Sequence, residues 1–246
     1  MTYRYTLDGP IGTRATLGLI ALQSDETIEH DLHRMIPSEG VSLLVSRVPS
    51  GLEVSTETLS EMKGHLSEAA SLFPRPTRFD AVGYGCTSGT AVIGAPVVAE
   101  QVKAGCTTKS VTEPVSGLIA ACKALDLKTL GFLSPYVEEV SQSLRSTLER
   151  AGIATPVFGS FDEAEEAKVA RIDRRSIIDA AVHLAGTGSV EGLFLSCTNL
   201  RTLDVIEEIE DKTGLTALSS NLVLGWHLAR SGGVAIHNRF GRLSRL

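Results

Sequence analysis

Short runs of β-branched and aliphatic residues alternate along the chain with longer stretches in which apolar residues recur every three or four positions. The first pattern is typical of strands buried in a parallel sheet, and the second is typical of helices that cover such a sheet. We therefore predict a succession of βα units and an α/β fold. The predicted strands are 16–22, 41–47, 80–84, 107–111, 129–133, 155–158, 192–196 and 215–218. The predicted helices lie near 26–36, 56–72, 88–104, 115–125, 136–150, 173–186, 200–213 and 221–231.

The predicted units divide into two sets of four that resemble each other. TLGLI at 16–20 recurs as TLGFL at 129–133, and CTS at 86–88 recurs as CTN at 197–199. The offsets are 113 residues (129 minus 16) and 111 residues (197 minus 86). Two landmarks in the same order at nearly equal spacing favour an internal duplication, although any two buried parallel strands share such runs. We predict two pseudo-symmetric halves, each a four-stranded parallel sheet with flanking helices: 1–113 plus 222–246, and 114–221.

Composition and charge narrow the range of partners. With 246 residues, 43% of them hydrophobic, the chain can bury a sizeable core. The formal net charge is −6 and the Lys and Arg residues are scattered, so we expect neither nucleic acid nor a membrane as a partner. The sequence begins with neither a signal-peptide pattern nor a long apolar run, and we therefore expect a cytoplasmic protein.

The four cysteines show no close-set CxxC spacing. This spacing favours neither a metal site nor a disulfide framework, and we expect four thiols. Cys106 and Cys122 are interpreted as small apolar residues of the core, and Cys122 lies in the helical run GLIAACKAL without polar neighbours of note.

Cys86 and Cys197 each follow a predicted strand and precede a predicted helix. Ligand sites of open α/β sheets gather at the carboxyl ends of the strands. A helix start also stabilises a thiolate and lowers the pKa of its thiol. The residues that follow the two cysteines add hydroxyl, amide and backbone N–H groups that can hold a carboxylate: Thr87, Ser88, Thr198 and Asn199. The sequence therefore predicts a pair of reactive thiols that face each other across a cleft between the halves.

These motifs resemble the aspartate/glutamate racemase superfamily, and within it the branch of maleate cis-trans isomerase, which includes proteins of ectoine utilisation. The most specific segments are GCTS, LSPYVEEV, SCTNLRT and SSNLVLGW. The resemblance implies a cofactor-independent isomerase or racemase, without a metal, that acts on a small maleate-like or amino-acid-like carboxylate. It implies that Cys86 is the nucleophile or first base, that Cys197 is the second acid/base, and that Tyr136 binds the substrate carboxylate.

Two departures from that family pattern bear on the substrate. The loop Gln23-Ser24-Asp25-Glu26 stands where maleate isomerase-like sequences carry Ser-Ser-Asn-Thr, and a second family amide falls on or near Glu166. We expect Ser24 and Asp25 to contact the substrate. Two acids in the pocket, Asp25 and Glu166, would then favour a substrate with an amino or other cationic group. The alternative is that Asp25 caps the helix that follows it.

Two other functions are compatible with these residues. One is a decarboxylase of the arylmalonate type, which resembles this fold but keeps a single catalytic cysteine in the second half. The other is a non-catalytic protein that binds a small carboxylate between two α/β lobes. The expected partners are a small carboxylate substrate and further copies of the chain in a homo-oligomer, a dimer or a tetramer.

Overall fold

Two separate sheets, each of four parallel strands, form the framework of this computed structural model, which describes residues 1–246 apart from the side chain of Thr56. The strands are β1 (Ala15–Leu22), β2 (Val41–Val48), β3 (Arg78–Gly85), β4 (Thr107–Thr112), β5 (Thr129–Ser134), β6 (Ala154–Ser160), β7 (Gly192–Leu195) and β8 (Thr216–Ser219). The first sheet has the order β2-β1-β3-β4 and the second the order β6-β5-β7-β8, so the second repeats the first. The predicted α/β fold class with two four-stranded parallel halves is confirmed.

The helices flank the two sheets. They are α1 (Ile28–Met35), α2 (Thr56–Glu61), α3 (Leu66–Ser71), α4 (Thr87–Ile93), α5 (Ala95–Gly105), α6 (Pro114–Leu125), α7 (Glu138–Arg150), α8 (Glu166–Val169), α9 (Arg174–Gly186), α10 (Ile206–Thr213) and α11 (Ser220–Ser231). Short 3-10 helices lie at Met62–His65, Leu203–Val205 and Arg242–Arg245. Across the described part of the chain, none of these helices has the length and apolarity needed to cross a membrane.

Burial differs among the strands, and among the edge strands β4 and β6 are partly exposed whereas β8 is fully buried. All residues of β7 are buried, as are all but one of β1, because helices cover both faces of a central parallel strand. The edge strands β4 and β6 are half exposed and carry Thr, Ser and Lys. The apolar runs therefore predicted the strands well, and every predicted strand is present with ends within two residues.

The helices differ from the prediction in four places. The helix predicted at 88–104 is divided into α4 and α5 at Gly94, whose φ of +93° favours glycine. The helix predicted at 56–72 is divided into α2 and α3 by a 3-10 turn that contains Gly64. The helix predicted from residue 200 begins only at Leu203, and the single-turn α8 is too short to show a periodic pattern.

The last helix joins the two halves. Although α11 follows β8 of the second sheet, it packs against β3 and β4 of the first sheet and against α6. At its start, the hydroxyl oxygen of Ser220 accepts hydrogen bonds from Thr87 Oγ1 at 2.7 Å and from the backbone N–H of Cys197 at 3.0 Å. Ser220 thus connects the segments that follow β3 and β7.

Candidate active site

A small cavity lies between the carboxyl ends of the two sheets. It has a volume of about 20 Å³, and its wall contains two thiols, three hydroxyl side chains, a phenol and one carboxyl group. The lining residues are Leu22, Val54, Leu59, Cys86, Thr87, Ser88, Tyr136, Glu166, Cys197 and Thr198. Leu22, Val54 and Leu59 form an apolar roof. The cavity therefore brings both predicted cysteines to one enclosed site.

Cys86 stands directly after β3 and is the N-cap residue of α4, as the sequence predicted. Its sulfur accepts a hydrogen bond from the backbone N–H of Gly89 at 3.2 Å. The Tyr84 hydroxyl lies beside this thiol, and that phenol also donates to the sulfur of Met62 at 3.6 Å. The neighbours of Cys86 are therefore a helix start and a neutral phenol.

Cys197 follows β7, but it does not begin a helix. Its φ of +97° lies in the left-handed region, which is strained for a residue other than glycine and turns the chain away from a helix. Its sulfur accepts from the backbone N–H of Asn199 at 3.3 Å and lies 2.9 Å from the hydroxyl oxygen of Tyr136. The next residue, Thr198, donates its hydroxyl to the carbonyl of Gly85 in the other half at 3.3 Å.

Burial raises the pKa of both thiols. Burial is the largest cause that raises the pKa of Cys86, to about 12, and the hydrogen bond from Gly89 opposes it only in part. Burial and then the charge of Glu166 raise the pKa of Cys197 well above the usual range of a thiol. A helix start lowers the pKa of a thiol, but desolvation outweighs this effect at Cys86, so the net shift is upward.

Glu166 is the one carboxyl group among the residues that line the cavity. The Tyr136 hydroxyl donates to its Oε1 at 2.5 Å, and the amide nitrogen of Asn199 donates to its Oε2 at 2.7 Å. Burial first, and then the nearby charge of Asp25, raise the pKa of this carboxyl. Glu166 entered the sequence analysis only as a departure from a family pattern, because a single acidic residue in a four-residue helix carries no periodic signal.

Ser24, Asp25 and Asn199 were predicted to contact substrate, but they do not line the cavity. The Asp25 carboxylate accepts from the backbone N–H groups of Thr27 and Ile28, both at 2.8 Å, and so holds the chain at the start of α1. These contacts are those of the helix-capping alternative. A substrate contact of Asp25 stays a prediction.

The other two residues have partners in the protein. Ser24 contacts Ser50, with 3.0 Å between their hydroxyl oxygens. The buried amide of Asn199 accepts from the Glu26 N–H at 2.8 Å and donates to Glu166, so it acts on the cavity through that carboxyl. The predicted residues that do line the cavity are Cys86, Thr87, Ser88, Tyr136, Cys197 and Thr198.

The remaining cysteines lie elsewhere. All four cysteines are free thiols; Cys122 is buried in the core and Cys106 is partly buried. Among the side chains that the structure describes, no three His, Cys, Asp or Glu residues lie close enough together to hold a metal ion. Sequence reasoning missed the roof residues Val54 and Leu59, which come from the segment between β2 and α3 and carry no chemical signature.

Comparisons with known proteins agree with this geometry. A family model described as arylmalonate decarboxylase matches residues 95–243. Arylmalonate decarboxylase from Bordetella bronchiseptica is 26% identical over 226 residues, which cover 85% of this chain and 91% of that protein. A crystal structure of a cysteine variant of maleate isomerase from Pseudomonas putida with maleate has a TM-score of 0.83, 19% identity and coverage of 94% and 97% of the two chains.

A third relative shares the fold to a similar degree. A maleate cis-trans isomerase from Nocardia farcinica, solved as a cysteine variant with a covalently bound succinylcysteine intermediate, has a TM-score of 0.80 and 23% identity. The match covers 94% of this chain and 98% of that one. The resemblance drawn from the sequence motifs is confirmed.

Proposed function

We propose that this chain, which belongs to the arylmalonate decarboxylase family, is a cofactor-independent isomerase or racemase of a small carboxylate that works through Cys86 and Cys197. One observation carries the proposal: the two thiols line the same enclosed cavity, and they come from equivalent strand ends of the two halves. A single-cysteine decarboxylase has no use for the first thiol, and a binding protein has no use for either.

The cavity offers suitable groups to hold a carboxylate. The Ser88 hydroxyl and the backbone N–H groups at the start of α4 lie next to Cys86, while Thr198 lies next to Cys197. These donors stabilise negative charge as it moves onto the carboxylate oxygens of an enolate-like intermediate. The apolar roof of Leu22, Val54 and Leu59 lowers the polarity of the cavity and so strengthens these interactions.

Two reactions use the thiols in this arrangement. In a racemisation, one thiolate takes the proton from the carbon beside the carboxylate, and the other thiol gives its proton to the opposite face. In a cis-trans isomerisation, the Cys86 thiolate adds to one carbon of the double bond and Cys197 gives a proton to the other carbon. Rotation about the resulting single bond follows, and then the proton returns and the C–S bond breaks. The succinylcysteine described for the Nocardia farcinica isomerase supports the second route, because a thiol that adds to maleate forms that group.

The substrate class that we propose is maleate-like or amino-acid-like. No Arg or Lys is among the lining residues, whereas Glu166 is, and this carboxyl favours a substrate whose second end carries a hydrogen-bond donor or a cation.

Proton exchange in deuterated water tests the proposal. The full chain is incubated separately with maleate, L-aspartate and phenylmalonate, and the products are followed by NMR. We expect isomerisation, or deuterium at the carbon beside a carboxylate, with one of the first two compounds. Cys86→Ser and Cys197→Ser should each lower that rate by about 10³-fold, because each removes a proton-transfer or nucleophilic group. The matched control is Cys106→Ser, outside the cavity, which should keep the parent rate.

The alternatives give different results in the same experiment. Release of carbon dioxide from phenylmalonate that survives in Cys86→Ser identifies a decarboxylase, the second candidate, which the family match and the 26% identical relative favour. Binding of the carboxylates without any exchange or conversion, equal in the parent and in both variants, identifies a binding protein.

A further inference from the structure

The buried carboxyl of Glu166 has no partner of opposite charge, although it lies in the cavity wall. Its neighbours of known charge or acidity are Tyr136, Cys197, Cys86 and Asp25, none of which is a cation. The nearest basic side chains of its own segment turn away: Lys168 pairs with Glu165, and Arg171 pairs with Glu26. A buried carboxyl group without a counter-ion lowers the stability of the fold, and such groups are concentrated at functional sites.

A chain of two short hydrogen bonds connects this carboxyl to Cys197. The distance from Cys197 Sγ to Tyr136 Oη is 2.9 Å, and the distance from Tyr136 Oη to Glu166 Oε1 is 2.5 Å. All three side chains are at most 5% exposed, so water does not compete for these bonds. The phenol can accept from the thiol while it donates to the carboxylate.

Asn199 fixes the direction of that chain. Its amide oxygen accepts from the backbone N–H of Glu26, which is only a donor, so the amide nitrogen must face Glu166. That nitrogen binds Oε2 of the carboxylate and leaves Oε1 to the phenol. The carboxyl is therefore held in one orientation, with one oxygen aimed at Tyr136.

We propose that Glu166 is the proton acceptor for Cys197 and receives the thiol proton through Tyr136. The S–H bond of Cys197 breaks as its proton moves to Tyr136 Oη, and the phenol passes its own proton to Glu166 Oε1. The products are a thiolate, an unchanged phenol and a carboxylic acid, and the reverse movement restores the thiol. The step keeps a single negative charge in the cavity, so it avoids the cost of two buried anions side by side.

The relay rests on the proposed use of Cys197 and solves a problem that the site presents. Burial raises the pKa of the thiol and of the carboxyl together. It therefore changes the free energy of proton transfer from the thiol to the carboxylate less than it changes the free energy of proton transfer from the thiol to water. Cys197 can thus become a thiolate without the cavity opening to solvent. The chain of bonds to a carboxyl is specific to Cys197, because the phenol beside Cys86 bonds to the sulfur of Met62.

The pH dependence of alkylation tests the relay without any substrate. The reaction of Cys197 with iodoacetamide is followed by mass spectrometry of its peptide between pH 6 and 9, because only the thiolate reacts. In the parent, the rate should level off over at least one pH unit, since a coupled thiol and carboxyl hold one proton between them. In Glu166→Gln, the rate should rise about tenfold for each unit by which the pH rises, throughout the range, as for an isolated thiol. Glu166→Asp should restore part of the level region.

The control is Glu165→Gln, which removes the neighbouring exposed carboxylate and should keep the parent profile. A parent rate that rises tenfold per pH unit over the whole range overturns the relay, and so does a level region that persists in Glu166→Gln. If Glu166→Gln does not fold, the parent and Glu166→Asp profiles decide in the same way. The profile does not depend on turnover, so a chain that lacks isomerase activity but shows the level region would refute the proposed function alone.

Discussion

The two cysteines occupy equivalent places in the two halves, but their neighbours differ. Cys86 begins α4, accepts from the Gly89 N–H and lies beside a phenol that bonds to a methionine. Cys197 lies in a loop, with a phenol and a carboxyl group behind it. The internal repeat has kept each sulfur at the end of a strand without keeping its chemical surroundings. This difference favours Cys86 as the nucleophile or first base and Cys197 as the group that carries the proton.

Removal of each phenol should separate these two roles. Tyr136→Phe interrupts the bonds from Cys197 to Glu166, and we expect turnover to fall by about 100-fold, as for the loss of a proton-transfer group. Tyr84→Phe removes the hydroxyl's weak contacts with the sulfur atoms of Cys86 and Met62 but breaks no path to a carboxyl, so its effect should stay within about tenfold. The measurement is the initial rate of the reaction found in deuterated water. Equal losses in the two variants would mean that the two phenols contribute equally to catalysis and would contradict different roles for Cys86 and Cys197.

The support of the Cys197 loop should depend on pH. The Asn221 amide donates to the Thr198 carbonyl at 2.8 Å and to the buried carboxyl of Asp31 at 2.9 Å. Burial raises the pKa of Asp31 to about 7, above its usual range. A raised pKa means that the folded state binds the proton of Asp31 more tightly than the unfolded chain does. The contribution of the protonated Asp31 to stability is therefore complete at low pH and is lost as the pH rises through 7.

We therefore expect the parent to lose stability between pH 5 and 8, and Asp31→Asn to remove about 2 kcal/mol of that loss. Urea unfolding at both pH values measures it. The comparison variant is Asp80→Asn at the far end of β3, where Lys109 lowers the pKa of the carboxyl. A parent and an Asp31→Asn variant with the same pH dependence would show that Asp31 is not buried with a raised pKa.

The backbone strain at Cys197 should give the smallest effect. Cys197→Gly and Cys197→Ala both remove the sulfur, but only glycine accepts a φ of +97° without strain. We expect the glycine variant to be more stable than the alanine variant by about 1 kcal/mol. At the neighbouring Ser196, which has no positive φ, the same two substitutions should rank in the opposite order because glycine costs more chain entropy. Chemical unfolding of the four variants compares them, and a more stable Cys197→Ala would argue against the strained conformation.

Much of the framework could be predicted from the sequence because burial on both faces leaves a clear apolar run. Each strand of the two sheets was found in this way, and the repeated TLGLI and TLGFL runs correspond to β1 and β5. Helix ends were less accurate where one glycine decides the outcome: Gly94 divides a stretch whose apolar pattern continues on both sides.

The site was predictable in its sulfur atoms and less so in their surroundings. Cys86, Cys197 and Tyr136 meet in the cavity as expected. The positive φ of Cys197 depends on tertiary contacts, so no local pattern could show that a loop replaces the helix start. The importance of Glu166 depends on side chains 30 and 33 positions away along the chain, Tyr136 and Asn199, and a search for motifs does not connect them.

The position of the last helix has a consequence for the order in which the molecule is made. The hydroxyl of Ser220, at the start of α11, binds Thr87 across a separation of 133 residues. A growing chain whose first 200 residues have left the ribosome has all of β1 to β4 but not the helix that covers β3 and β4. Closing such long loops is entropically slow, and the uncovered sheet face is apolar in the meantime. The first half is therefore synthesised early but gains the last helix that covers it only when the C-terminal segment arrives.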